Sequence, residues 1–132
     1  MRKFFRESEI IKALRELFPE LKIVAFDTTD NDLSQTTVQV LASAAPKGYA
    51  DNNRGGFTVT VTVSVRDTDK TKSLNTAEEI HLTLEDLHRT ENFNIRATRV
   101  LQEPKIAGTF PSGEGYYTES SISLRATIAI DG

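Results

Sequence analysis

The sequence predicts an α+β fold, an antiparallel or mixed sheet of about five strands with two helices packed on it. Three observations lead there. Phe57, Val59, Val61, Val63 and Val65 alternate with Thr58, Thr60, Thr62 and Ser64, the period-two pattern of a strand built from β-branched residues. Immediately afterwards Leu74, Ala77, Ile80, Leu84 and Leu87 fall three or four apart, which draws one apolar stripe along a helix. Strands and helices then mix along the chain without the strict strand–helix–strand repetition of a parallel fold.

Composition sets the outer bounds. A chain of 132 residues is expected to form one domain, residues 1–132, with a core large enough to need no staples. Hydrophobic residues at 38% and charged residues at 27% describe a globular chain that is neither disordered nor membrane-spanning. The net charge of −3 supplies no basic footprint, so sequence-specific binding to nucleic acid is not expected. With no cysteine there is neither a disulfide framework nor a thiolate nucleophile or metal ligand. Met1 to Arg6 is basic like the start of an export signal, but Glu7, Glu9 and Lys12 interrupt the apolar run such a signal needs. A cytoplasmic chain is the expectation.

In order, the first element is a helix from Ser8 to Phe18. Ser8 is its expected cap, Ile10, Ile11, Leu14, Leu17 and Phe18 are its buried stripe, and Pro19 ends it. A short strand, Leu21 to Phe26, leads into the acidic stretch Asp27 to Asp32. A second strand, Thr36 to Ala44, turns Val38, Val40, Ala42 and Ala44 to one side. The loop Ala45 to Arg54 then brings the strand Phe57 to Val65 back antiparallel to it. After the second helix, Phe93 to Leu101 reads as a strand with weaker alternation. Gln102 to Tyr117 reads as a long loop, punctuated by Pro104, Gly108, Pro111, Gly113 and Gly115. The last strand is clear, with Ile122, Leu124, Ala126, Ile128 and Ile130 on one face.

Catalytic chemistry is hard to find. His81, Glu85 and His88 share one side of the second helix, a spacing able to hold zinc or nickel, but no HExxH pair or cysteine completes it. An imidazole flanking the core is the plainer reading. Asp27, Asp30 and Asp32 lack the glycine and the distal glutamate of a calcium loop. No G-x-S-x-G marks a nucleophile, and Gly113-Glu114-Gly115 lacks the Lys-Ser/Thr of a phosphate loop. No enzyme, cofactor or metal is therefore expected. What stands out instead is a surface. The outward positions of the two best strands are Thr58, Thr60, Thr62, Ser64, Ser121, Ser123 and Thr127, with Arg125 the one charge. Charge depletion of this kind marks interface cores, although threonine also suits any solvated strand.

The order of these elements resembles the tail terminator (tail completion) proteins of long-tailed bacteriophages and prophages. The matching features are the amphipathic helix closed by Pro19, the strands Leu21 to Phe26 and Thr36 to Ala44, and the Gly-led strand from Gly56 to Val65 with its crossing helix. A strand running into Pro104, a Gly-rich loop, Tyr116-Tyr117 and a final strand complete the match. The resemblance spans nearly the whole chain and rests on element order, not on a chemical signature.

The resemblance implies a structural virion protein of the tail–neck junction, present in the host cytoplasm during assembly. It would form a homo-oligomeric ring, commonly a hexamer, that caps the head-proximal end of the tail tube, stops its polymerisation and joins it to the head. Its partners would be further copies of itself, the tail tube protein and a head-completion or neck protein, with no membrane. Candidate subunit-interface residues are Thr58, Thr60, Thr62, Phe4 and Phe5. Candidate tube- or neck-contact residues, on loops, are Asp30, Asp32, Tyr49, Asn52, Arg54, Glu114, Tyr116 and Tyr117. A head-completion or stopper protein of the same neck, and a non-viral α+β ligand-binding domain with its pocket between helix and sheet, are the alternative readings.

Overall fold

The computed structural model describes residues 7–26, 35–44, 56–91, 93–112 and 115–129. Over these residues the chain runs α1 (Glu7–Leu17), β1 (Lys22–Ala25), β2 (Thr37–Ala44), β3 (Gly56–Asp67), α2 (Lys70–Glu85), β4 (Asn94–Ser112) and β5 (Gly115–Ala129). The strands form one five-stranded sheet in the order β1-β2-β3-β5-β4, so the α+β expectation holds. The sheet is mixed. β1 runs parallel to β2, and every other neighbouring pair is antiparallel.

Side-chain parity decides which face is covered. In β3 the odd positions Val59, Val61, Val63 and Val65 are 0–3% exposed. Register carries them onto Val40 and Val38 of β2 and onto Leu124 and Ile122 of β5. Both helices lie on this side. Ile10 and Leu14 of α1, with Ala77 and Ile80 of α2, join the same buried cluster. Removing such a side chain from water contributes roughly 1.5–3 kcal/mol each, far more than any local propensity. α1 rests on β1 and β2, and α2 on β3, β4 and β5.

Helix boundaries differ from the sequence expectation for local reasons. α1 already includes Ser8, so Ser8 is not its cap, and Glu9 is buried, accepting a hydrogen bond from Thr90 Oγ1 at 3.2 Å. α2 begins a turn before Leu74, because Asp69 caps it by accepting from the amides of Thr71 (2.9 Å) and Lys72 (3.2 Å). Asp67, the last residue of β3, is buried and accepts from Thr36 Oγ1 and from the Asp69 amide. A charge-assisted bond of this kind fastens the strand end to the turn.

The second long loop expected from the sequence is not a loop. Residues 102–112 and 115–117 belong to β4 and β5, which pair as a hairpin out to Ser112↔Gly115. The prolines and glycines are absorbed by register shifts at Ile95/Ala97, Val100/Gln102, Gln102/Lys105 and Ile106/Gly108. Each lets the ladder resume without a regular alternation.

The start of α2 is pinned by a buried hydroxyl pair. Ser73 Oγ donates to the Val65 carbonyl at 2.9 Å and lies 2.9 Å from Ser120 Oγ, both serines being fully buried. Ser73→Ala leaves the Ser120 hydroxyl buried without that partner, a loss of about 1–3 kcal/mol. Ser73→Ala/Ser120→Ala together should cost less than the sum of the two single changes. Urea unfolding of the four proteins in the cycle checks this coupling, and strict additivity would remove it.

Candidate interaction surface

The reverse face of the sheet carries the even positions of β3, and neither α1 nor α2 lies on it. Register lays it out in rows. Ser43, Thr60, Arg125 and Arg99 stand side by side across β2, β3, β5 and β4, followed by Leu41, Thr62, Ser123 and Gln102. The next row is Gln39, Ser64, Ser121 and Lys105, and beyond it come Thr37, Arg66, Glu119 and Gly108. Thr58, Thr60, Thr62 and Ser64 are half-buried by their neighbours, while Leu41, Arg99, Arg125 and Lys105 are exposed. Thr37 and Gln39 are buried, so the free part of this face is the portion made by β3, β5 and β4 together with Leu41.

This surface is less neutral than the sequence implied. Arg125 has Arg99 directly opposite it, and like charges in that position repel. Among the described residues neither guanidinium has an ionic partner. Sequence reasoning missed Arg99 because the register shifts of β4 break the alternation that would have assigned its face.

Further along, a mixed cluster ties the β4–β5 hairpin to the sheet. Arg66 Nε donates to Glu119 Oε1 at 3.0 Å, and both side chains are more than four-fifths buried. The Arg66 guanidinium also lies 5.5 Å from the centre of the Tyr117 ring, and Tyr117 stacks at 5.5 Å and 33° on Phe110. Phe110 folds back over Gly108, where an added Cβ would approach its ring to 3.0 Å. Tyr117 is therefore half-buried on a strand, and only Tyr116, 66% exposed, presents its ring to solvent. Both tyrosines were expected on a loop, and both lie in β5.

The edges of the sheet are blunted. In β1 the amide of Lys22 bonds to Thr36, and that of Phe26, just past its end, bonds to Val40, so the Ile23 carbonyl faces outward. Arg15 Nε of α1 donates to that carbonyl at 2.9 Å. Past the end of β1, the outward amide of Ala42 donates to Glu7 Oε2 at 3.0 Å. At the other edge, β4 carries its register shifts together with Pro104, Pro111 and the exposed Lys105. Capped groups, bulges, prolines and charge all oppose pairing with another strand.

The remaining candidates fall as follows. Phe4, Phe5, Asp30, Asp32, Tyr49, Asn52, Arg54 and Glu114 lie outside the described residues, as does the Asp27 to Asp32 stretch. His81 flanks the core at 9% exposure. Its Nε2 is 2.7 Å from Glu85 Oε1, close enough for an ionic contact but not aligned as a hydrogen bond, while His88 is exposed. Among the described residues no three of His, Asp and Glu converge as a metal site requires. Two half-open hollows, of about 290 and 700 Å³, lie in the polar surface of the helix layer, the first beside Lys12 and Glu91, the second beside Asp69 and Glu79. Lys12 Nζ meets Glu91 Oε2 at 2.8 Å across the first, and that hydrogen bond, then the carboxylate charge, raises the lysine above its usual value. Solvent screening leaves so exposed a pair little weight in stability, and what it contributes is lost as pH climbs through the lysine's own titration.

The arrangement defines a two-layer domain that presents one broad sheet face and no assembled set of reacting groups among the described residues. Neither the family models nor the curated proteins contain a match to the chain.

The two ion pairs should behave differently. Glu119→Ala leaves Arg66 buried beside an empty site and should cost on the order of 3 kcal/mol. Lys12 and Glu91 are half exposed, so Glu91→Ala should leave the urea midpoint near that of the parent. Equal shifts for the two variants would contradict this assignment.

Proposed function

We propose that the chain is a ring-forming structural subunit of the phage tail-terminator kind. It caps the head-proximal end of a tail tube and provides the joint to the neck. The observation that carries this reading is the sheet face turned away from both described helices, on which Thr58, Thr60, Thr62, Ser121 and Ser123 form a floor of short side chains. Such a floor is rigid, has little side-chain entropy to lose, and allows close approach of another subunit. The blunted edges favour assembly through faces over strand addition. A ring of identical subunits needs two different surfaces that meet and close on themselves, and a slab with unlike sides offers them. The resemblance in element order supports the same reading, and the long β4–β5 hairpin supplies a projecting contact element where a loop was expected.

A ligand-binding domain is less well supported. The space between helices and sheet is filled by Leu14, Val38, Val63, Ile80 and Ile122, all fully buried, which leaves that interface to packing.

Electron microscopy and light scattering of the purified protein test the proposal. A closed ring with a central hole is expected, and a monomer at every concentration would overturn it. Two neighbouring substitutions refine the test. Thr60→Arg puts a long side chain on the floor of short ones, where its bulk should bar the close approach of a neighbour and block ring formation while leaving the fold intact. Val61→Thr, on the opposite face at 3% exposure, buries a hydroxyl and should lower stability by roughly 1–3 kcal/mol. Ring formation unaffected by Thr60→Arg would remove this face from the interface.

A further inference from the structure

Among the described residues the C-terminal half of α2 is acidic around an apolar centre, while the reverse face of the sheet is basic around Arg99 and Arg125. On α2, Leu82 is 62% exposed, pointing away from the stripe that Ala77, Ile80 and Leu84 bury. Its helix-surface neighbours at i−4, i−3, i+3 and i+4 are Glu78, Glu79, Glu85 and Asp86, all exposed. A leucine ringed by carboxylates has no packing task within the described residues. Of these four carboxylates, Glu85 contacts His81.

α2 packs against β3, β4 and β5, and the reverse side of those same strands carries Arg125, Arg99 and Lys105. Two acidic residues belong to β4 and β5. Glu119 is neutralised by Arg66, and Glu103 falls in the ladder break between Gln102 and Lys105. The reverse face is thus cationic around the exposed Arg99 and Arg125, whose mutual repulsion is unrelieved among the described residues.

We infer that the Leu82-centred acidic face of α2 docks on the Arg99–Arg125 row of a second copy of this chain. The contact is heterologous and runs front to back. Each copy offers one surface of each kind, so a rotation between neighbours closes a ring and its absence gives a filament. Leu82 supplies the apolar anchor against the short Thr62 and Ser123 side chains. Glu78, Glu79, Glu85 and Asp86 relieve the arginine pair and set orientation. This inference rests on the ring reading and names the surfaces that make the ring.

The test uses two charge-reversed full-length chains, Arg99→Glu/Arg125→Glu and Glu78→Lys/Glu79→Lys/Asp86→Lys. Light scattering and sedimentation read their assembly, and circular dichroism verifies folding. Each variant alone should associate roughly a hundredfold more weakly than the parent, because both of its surfaces then carry one sign. An equimolar mixture should assemble, with the two chains alternating, because every contact in it is again between opposite charges. Should a reversal disturb folding, Glu78→Gln/Glu79→Gln and Leu82→Ala read the same surface at lower risk, each weakening association at an unchanged melting temperature. A parent ring indifferent to all these changes would overturn the docking surfaces and leave the ring reading standing. Reversed chains that fail to assemble when mixed would do the same. A parent monomeric at every concentration would remove both.

Discussion

Concentration of the apolar core on one side of the sheet is the constraint from which the other features follow. Valine at every odd position of β3 from Val59 to Val65, continued by register into Val38 and Val40 on one side and Ile122 and Leu124 on the other, makes one face strongly apolar. Two amphipathic helices suffice to cover it. The opposite face is mainly polar, with Leu41 its exposed apolar residue, and neither α1 nor α2 lies on it. Two layers, sheet and helices, are what this pattern dictates among the described residues.

Free backbone groups at the edges of such a sheet would invite strand addition and open-ended aggregation. α1 counters this at one edge, with Glu7 and Arg15 reaching past its apolar stripe to the Ala42 amide and the Ile23 carbonyl. These two residues read from the sequence as ordinary charged helix positions. Their partners lie on strands that the helix covers, at sequence separations of 35 and 8, so no local pattern could have shown the contacts. The other edge is handled within β4 itself, by irregularity in place of capping.

Much of the fold was legible, because burial of apolar side chains dominates folding and leaves a period in the sequence. Val59 to Val65, Ile122 to Ile128 and the Ala77–Ile80–Leu84 stripe announced their elements and their faces. The antiparallel pairing of β2 with β3 also followed from their adjacency. The misread stretch, residues 102–117, is where the period fails. Pro104, Gly108 and Pro111 punctuate it like a loop, yet cross-strand partners such as Tyr117 for Phe110 hold it in a ladder whose shifts erase alternation. The candidate surface was legible by half. Thr58, Thr60 and Thr62 declare their face through β3's own parity. The neighbouring charge of Arg99 depends on the spatial order β3-β5-β4 and on bulges, neither of which is a local property. Leu82 was equally silent, since a single leucine off the stripe means nothing until its surroundings are known.

The domain holds its charges in two ways, one settled within the chain and one directed outward. Arg66 and Glu119 are paired and largely buried within one subunit, so their electrostatics are settled on folding and respond little to salt. Arg99, Arg125 and the carboxylates around Leu82 are solvated in the single chain, and their fields reach outward. Exposed charges act on the rate and direction of encounter more than on the depth of the final contact. On the proposed front-to-back contact, a chain so built would fold independently of its neighbours and meet them in an orientation set by these charges. Close packing of short hydroxyls against the Leu82 anchor would then supply the lasting part of the interaction. Folding first and associating second is the order that such a division of charge favours.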